Sequence, residues 1–368
     1  MRVTGAVLEE AGRARPYAQS LPITVTEVEL AGPGPTELLV RIEAAGICHS
    51  DLSVVNGNRR RPTPMLLGHE AAGLVADTGS AVTDIRPGQR VVMSFVPRCE
   101  QCPECGQDGR LPCSAGTAAN NAGTLLHGTR LSWVGTPVHH HLGVSGFASH
   151  AVVDRASVVP IDSDIPPDVA AVLGCAVLTG GGAVLNVANP APSDPVMIVG
   201  LGGVGMAALI VAKALGVQRL IAVDTVEEKL RHAAALGATE TYTPAQVAGG
   251  GVKARYVIEC AGHPRAFETA FGATEAGGTT VTVGLPAPGE AASISPLLVT
   301  AEARTVVGSY LGSAVPSRDI PRYAQMWRDG RLPVDRLITS RIALAQINEA
   351  MDLLADGLAI RQVIMFDG

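Results

Sequence analysis

The chain has 368 residues, 47% of them hydrophobic and 17% charged, with a formal net charge of -6. That length exceeds what one hydrophobic core usually organises, so about two domains are expected, and the apolar content excludes a disordered chain. The acidic balance argues against a nucleic-acid surface, which needs a basic face, and the short run Arg59–Arg61 does not reverse it.

In chain order, residues 1–160 read as short β-rich pieces over 38–46, 71–79, 89–96 and 148–161, each bounded by Gly, Pro or Asp. From about residue 170 the pattern changes to alternating strands and helices. A buried strand at 195–200 precedes a helix over 203–216, closed by Gly216. Strands at 219–224, 254–262 and 278–286 then alternate with helices over 227–237 and 264–274. This order predicts an α/β domain with a doubly wound parallel sheet. The last 55 or so residues hold a proline-broken helix near 320–330 and a second over 345–357.

Within the alternating part, "GLGGVG" places Gly200, Gly202, Gly203, Val204 and Gly205 where a strand ends and a helix opens, and Asp224 ends the next strand. Glycines there permit a tight turn and close approach of a pyrophosphate to backbone N–H groups, while the carboxylate accepts from a ribose 2′-OH. Asp224 repels a 2′-phosphate, and Thr225 and Val226 offer no cation, so NAD is the expected cofactor.

No apolar run reaches the roughly 18 residues a membrane span needs, and the N-terminus carries acids where a signal peptide would be apolar. A cytoplasmic chain with no membrane partner is expected, and its 7 cysteines are then more readily metal ligands than disulfides. Cys99, Cys102, Cys105 and Cys113 form C-x2-C-x2-C-x7-C in a loop rich in Gly and Pro, a pattern that closes around one structural zinc. Cys260 sits in an apolar strand and reads as core. Cys48, in "GICHSD", and Cys175, in "LGCAVLTGGG", could join His69 of "GHEAAG" as two thiolates and an imidazole with a fourth position open. That is the pattern of a catalytic zinc.

With these motifs together, the sequence resembles the zinc-dependent alcohol dehydrogenases of the medium-chain dehydrogenase/reductase superfamily, in particular the liver and glutathione-dependent formaldehyde dehydrogenase group. The resemblance rests on "GICHSD", the pattern from Gly68, the four-cysteine lobe, "HHHLGVSGFASHAVVD", "GCAVLTGGG", "GLGGVG" and the closing "AIRQVIMF". It implies a GroES-like β-rich catalytic domain over 1–176 and 311–368, with a zinc lobe at about 95–115, and a Rossmann-like NAD-binding domain over 177–310. It implies two zinc ions per chain, a small alcohol or aldehyde substrate, and a homodimer or tetramer.

Residue by residue, the resemblance makes Cys48, His69 and Cys175 the catalytic ligands and Asp51 the acceptor that fixes the His69 tautomer. Ser50 would hydrogen-bond the substrate hydroxyl and pass its proton toward the cofactor ribose. Glu70 would sit behind the metal as an occasional alternate ligand. His49 and Arg361 would hold the pyrophosphate, Thr179 would lie near the nicotinamide, and Lys229 would join Asp224 at the cofactor. Pocket positions fall at Ser50, Arg59, Phe95, His141, Leu285 and Tyr310. Arg59 replaces an apolar residue and would either attract anionic substrate tails or join Arg60 and Arg61 as a solvated face at the cleft mouth. His141, within a run of three histidines, would otherwise be an ordinary loop residue.

Two departures stand out. Ser53 replaces the histidine that ends the proton path in the liver group, and "CSAGTAANN" lacks the arginine that recognises a glutathione adduct. The same motifs would also fit a nicotinoprotein that keeps NAD bound, or a non-catalytic relative used as a binding or structural protein.

Overall fold

The computed structural model of the chain describes residues 1–366. Backbone packing divides it into two units, one built from Met1–Cys175, Pro316–Gln325 and the chain from Ile338 on, the other from Ala176–Val315 and Met326–Leu337. The returning segment expected whole in the first unit from residue 311 is therefore split: 311–315 and 326–337 pack with the second.

The first unit carries β1 (Arg2–Leu8), β2 (Ile23–Leu30), β3 (Glu37–Ile47), β4 (Met65–Leu66), β5 (Ala71–Thr78), β6 (Arg90–Met93), β7 (Leu131–Trp133), β8 (Thr136–His140), β9 (His150–Asp154) and β10 (Val158–Ile161). Strands β1, β2, β7, β8 and β4 close into a small barrel. The long strand β3 organises the rest, pairing antiparallel with β5 and with β9. Its first half alternates, with Leu38, Val40 and Ile42 inward and Arg41 and Glu43 half-exposed, the period-2 signature of a sheet with one face on a core. Leu38, Val40 and Ile42 share that core with Met65, Val91, Phe147 and Ile364.

The second unit carries β11 (Val196–Val199), β12 (Leu220–Val223), β13 (Glu240–Tyr242), β14 (Ala254–Glu259), β15 (Thr274–Thr282) and β16 (Thr305–Gly308), all parallel, in the order β13-β12-β11-β14-β15-β16. The order reverses at β11, the switch point where an open α/β sheet offers its ligand crevice. Its strands β11 and β12 are short and wholly apolar, as strands covered on both faces should be; Val196–Val199 and Leu220–Val223 are buried throughout. The chain then returns to the first unit as β17 (Ile338–Ile342) and β18 (Arg361–Met365), and β18 pairs antiparallel with the end of β3, Gln362 opposite Ile47. A strand from the far end of the sequence thus lands directly behind Cys48.

Three expectations are corrected. Pro321 does not break its helix, which runs Pro316–Arg328 with the proline in its second turn. A 22-residue helical segment, Pro167–Ala188, contains an 18-residue stretch with a mean hydropathy of 1.8 and is long and apolar enough to cross a membrane by composition alone, yet 94% of that stretch is buried. Its Gly and Ala residues let neighbouring backbone pass close, since a Cβ at Gly174 would overlap Met93 O and one at Gly180 would overlap Val204 O. Cys260 lies just beyond β14 and is half-buried rather than core.

Candidate active site

Cys48 directly follows β3 and starts a short helix, His49–Val55, as its N-cap; Asp51 in the first turn accepts from the Cys48 backbone N–H at Oδ2, 3.0 Å. The same carboxylate turns Oδ1 to His69 Nδ1 at 3.0 Å, with both side chains buried. His69 precedes β5, where Gly68 takes a φ of 93° so that the Phe147 backbone can pass against it. With Nδ1–H committed to Asp51, the His69 Nε2 lone pair faces Cys175 Sγ, 3.5 Å away. One donor atom each of Cys48, His69 and Cys175 lies within 4.8 Å of the others, all buried.

The electrostatics fit a cation at this place. Despite burial, the Asp51 charge and hydrogen bond raise His69 well above the ordinary imidazole value, and His69 and His141 in turn hold the buried Asp51 down to about 2. A charge arrangement that draws a proton to His69 equally draws a metal ion to Nε2. The two thiols share a single ionisation: the hydrogen bond from Cys175 pulls Cys48 well below the thiol range, and Cys175 goes up in consequence. Only a cation would let both be thiolates.

Behind them, a Cβ at Gly46 would overlap the Glu70 carboxylate, so only glycine leaves room for it. Burial pushes Glu70 up to about 7 against the pull of Arg361. Arg361, matched in the sequence to a pyrophosphate position, is itself buried, with Nη1 donating to Ile47 O at 2.9 Å and lying 3.3 Å from Glu70 Oε2.

The lobe cysteines converge as well, with the sulfurs of Cys99, Cys102, Cys105 and Cys113 all within 4.8 Å of one another. Cys113 caps a helix at Ser114–Ala122 that was not expected from the sequence, its sulfur accepting from Gly116 N at 3.3 Å. A hydrogen bond from Ser114 brings Cys102 down to about 6 while burial pushes Cys105 up to about 12. Four thiols so close cannot ionise together without a metal, and four are a complete tetrahedral set.

In the second unit three glycines of the turn have distinct duties. Gly200 holds a φ of 92° against the Ala261 backbone, and a Cβ at Gly205 would overlap Gly200 O. Gly202, the N-cap of the helix Gly203–Ala214, has nothing within 4 Å of where a Cβ would sit, which leaves its face open to a ligand. Asp224 accepts from Leu201 N at 2.7 Å and Val226 N at 2.9 Å, tying the turn to the end of β12. Val204 and Lys229 are half-buried in the first turns of their helices, and Thr179 is buried one residue before Gly180, whose backbone abuts Val204.

Comparison with known proteins agrees with this arrangement. Residues 34–163 match the alcohol dehydrogenase GroES-like domain and residues 203–328 match the zinc-binding dehydrogenase family. An alcohol dehydrogenase zinc-binding domain protein from Burkholderia ambifaria is 30% identical, with TM-score 0.92 and each chain covered 100%. Benzyl alcohol dehydrogenase from Acinetobacter calcoaceticus is 27% identical over 100% of both chains, TM-score 0.90. A zinc-binding dehydrogenase from Sinorhizobium meliloti bound to NADP is 27% identical over 100% of both chains, TM-score 0.80. The chain belongs to the zinc-binding alcohol dehydrogenases of the medium-chain dehydrogenase/reductase superfamily.

As a member of that family, the chain distributes its other expected site residues unevenly. Phe95 and His141 both pack edge-on to the His69 ring, centroids at 5.5 and 5.3 Å. His141 Nδ1 also lies 3.1 Å from Asp51 Oδ1, a contact that the sequence reading of the dehydrogenase missed; the histidine run was its only signal. Ser50 is half-buried and His49 exposed at the helix start. Ser53 donates to His49 O at 2.8 Å, so its hydroxyl is bound to the helix backbone. Arg59 is half-buried and Arg60 exposed, but Arg61 does not share their solvated face: its Nη1 is pinned to Asn120 O at 2.8 Å. Leu285 and Tyr310 belong to the second unit and are exposed.

Proposed function

We propose that this oxidoreductase is an NAD-dependent alcohol dehydrogenase of the liver-like group, moving a hydride reversibly between an alcohol and NAD, with two zinc ions per chain. The observation that carries the reading is the buried convergence of Cys48, His69 and Cys175 in a chain of this family. Zinc at that position supplies a Lewis acid that acidifies an alcohol or polarises a carbonyl, and NAD supplies the hydride acceptor.

The protein's own residues do the rest. Asp51 holds His69 in the tautomer that presents Nε2, and the Cys48 N–H holds Asp51. Ser50, two residues after Cys48, would accept the hydrogen bond of the substrate hydroxyl and pass its proton toward the cofactor ribose. Glu70 and Arg361 form a buried pair behind the thiolates. Gly202 and the N–H groups of its helix cradle the pyrophosphate, Asp224 takes the ribose hydroxyls, and Thr179 stands by the nicotinamide. Asp224 is the reason for NAD here, although the Sinorhizobium relative was solved with NADP. Phe95 and His141 flank the reacting end of the pocket, and Arg59 meets a polar substrate tail.

We further assign the chain to a cytoplasmic homodimer. The reducing cytoplasm suits clustered thiols, and the edge strand β16 is exposed with Val306 outward, a ready pairing surface for a second copy.

Elemental analysis and cofactor analysis test the core of the reading. Two zinc ions per chain are expected, and Cys175→Ser should lose one of them and all alcohol oxidation while keeping the fold, because the lobe ion sits elsewhere. Unchanged zinc in that variant removes Cys175 from the site. NAD that survives gel filtration would mark a nicotinoprotein, and no turnover with primary, secondary and aromatic alcohols would mark a non-catalytic relative.

A further inference from the structure

Asp51 serves two imidazoles with one oxygen. Oδ1 lies 3.0 Å from His69 Nδ1 and 3.1 Å from His141 Nδ1, while Oδ2 is taken by the Cys48 backbone N–H. All three side chains are buried. The His141 N–H is off line to the oxygen, so the contact is an electrostatic approach more than a directed bond, and among the described residues no other acceptor serves this nitrogen.

The turn that presents His141 is built for the purpose. Leu142 and Ser145 hold φ values of 53° and 52°, a conformation non-glycine residues rarely adopt, on either side of Gly143 at 67° and Val144. Ser145 Oγ accepts from the His141 backbone N–H at 3.0 Å and lies 3.3 Å from His140 Nδ1. His140 Nε2 accepts from Arg130 N at 3.0 Å, so His140 carries its proton on Nδ1 and donates it to Ser145. Two bonds to one hydroxyl thus fix the backbone of a strained turn whose next side chain reaches Asp51.

We propose that His141 is a positioning residue for the metal site: its Nδ1–H shares the Asp51 carboxylate with His69 and thereby weakens the pull of Asp51 on that ligand. This role presupposes that Cys48, His69 and Cys175 hold the metal, as proposed above. A carboxylate bonded to the far nitrogen of a ligating imidazole makes that imidazole a stronger donor. A second N–H on the same oxygen draws off part of that charge, so His69 gives less to the ion and the ion stays the stronger Lewis acid. Asp51 needs no help from His141 to stay in place, because Cys48 N and His69 already hold both oxygens.

The test compares His141→Phe, which removes the donor, with His141→Asn, whose side-chain NH2 stands where Nδ1 stood. On holoenzyme carrying cobalt at the catalytic site, release to a chelator should slow about three- to tenfold in His141→Phe, with a shifted d–d absorption band, and both should stay at wild-type values in His141→Asn. Unchanged or faster release in His141→Phe overturns the proposal, as does an equal change in both variants. Should His141→Phe fail to fold, 15N NMR of histidine-labelled wild-type protein decides: both His69 and His141 are expected as Nδ1–H tautomers, and an Nε2–H tautomer at His141 overturns it. A wild-type chain that binds no metal at Cys48, His69 and Cys175 would instead refute the metal reading itself, and the tautomers would still be measurable.

Discussion

Arg361, from the last strand, and Glu70, from the segment after His69, meet as a charge pair 3.3 Å apart with both side chains buried. Neither residue reaches solvent, and Arg361 also supports Ile47 O, the carbonyl just before Cys48. Removing one partner of a buried pair leaves the other charge uncompensated, which costs at most about 3–5 kcal/mol, and Glu70, already pushed up to about 7 by burial, escapes part of that cost by taking up a proton. Arg361→Met is therefore expected to destabilise the folded protein by that order and to loosen the metal. Adding Glu70→Gln should recover much of the loss, because the stranded charge is gone. Denaturant unfolding of the two single variants and the double variant measures the coupling; simple additivity would show that the two residues do not act as a pair.

The glycines of the turn make opposite predictions at two positions three residues apart. In Gly205→Ala the new methyl would overlap Gly200 O, so the helix must move off the strand and both stability and dinucleotide binding should fall. In Gly202→Ala the methyl meets nothing within 4 Å, and unfolding should match wild type. Dinucleotide affinity should still drop about tenfold or more, roughly 1.4 kcal/mol, because the methyl occupies the face a pyrophosphate approaches. Cofactor titration by nicotinamide fluorescence, beside thermal unfolding, separates the two. Wild-type affinity in Gly202→Ala would place the pyrophosphate elsewhere.

Asp224 binds the turn as well as the expected ribose, through Leu201 N and Val226 N. Asp224→Gly should weaken NAD on both counts while removing the charge that repels a 2′-phosphate, so the ratio of NAD to NADP affinity should fall toward one. A wild-type enzyme that already uses NADP as well as NAD would refute this assignment of Asp224.

The sequence was most legible where chemistry and local backbone coincide. The glycine turn, its acid and the four lobe cysteines are close in sequence, and their spacing carries geometric meaning without any tertiary information. Four strands of the second unit, β11, β12, β14 and β15, were read for the same reason, since hydrophobic periodicity and glycine stops are local, whereas the short edge strands β13 and β16 were not. What escaped was set by tertiary contact. Pro321 sits early enough in its helix for the chain to tolerate it, and the apolar helix 167–188 is a core element of a folded protein rather than a membrane span. The pairing of His141 with Asp51 joins residues 90 positions apart, and the pairing of Arg361 with Glu70 depends on β18 lying beside β3. No spacing rule reports such meetings.

His140 supplies a test in pH. Burial first, and then the charges of Arg130 and His139, push its imidazole down to about 3, and its Nε2 must stay unprotonated to accept from Arg130 N. In the unfolded chain the same histidine titrates near 6.5. Between those values the unfolded state binds a proton that the folded state refuses, so stability is fully present above about 6.5 and is lost as the pH falls toward 3. The contribution to the slope is at most about 1.4 kcal/mol per pH unit. His140→Gln keeps a side-chain oxygen able to accept from Arg130 N but cannot take up a proton. Denaturant unfolding of holoenzyme at steps from pH 7 to pH 5 should therefore show a shallower decline in the variant than in wild type. The protonation of metal ligands and carboxylates contributes to both proteins alike and drops out of the difference. Equal slopes would mean that His140 is not held neutral by the fold.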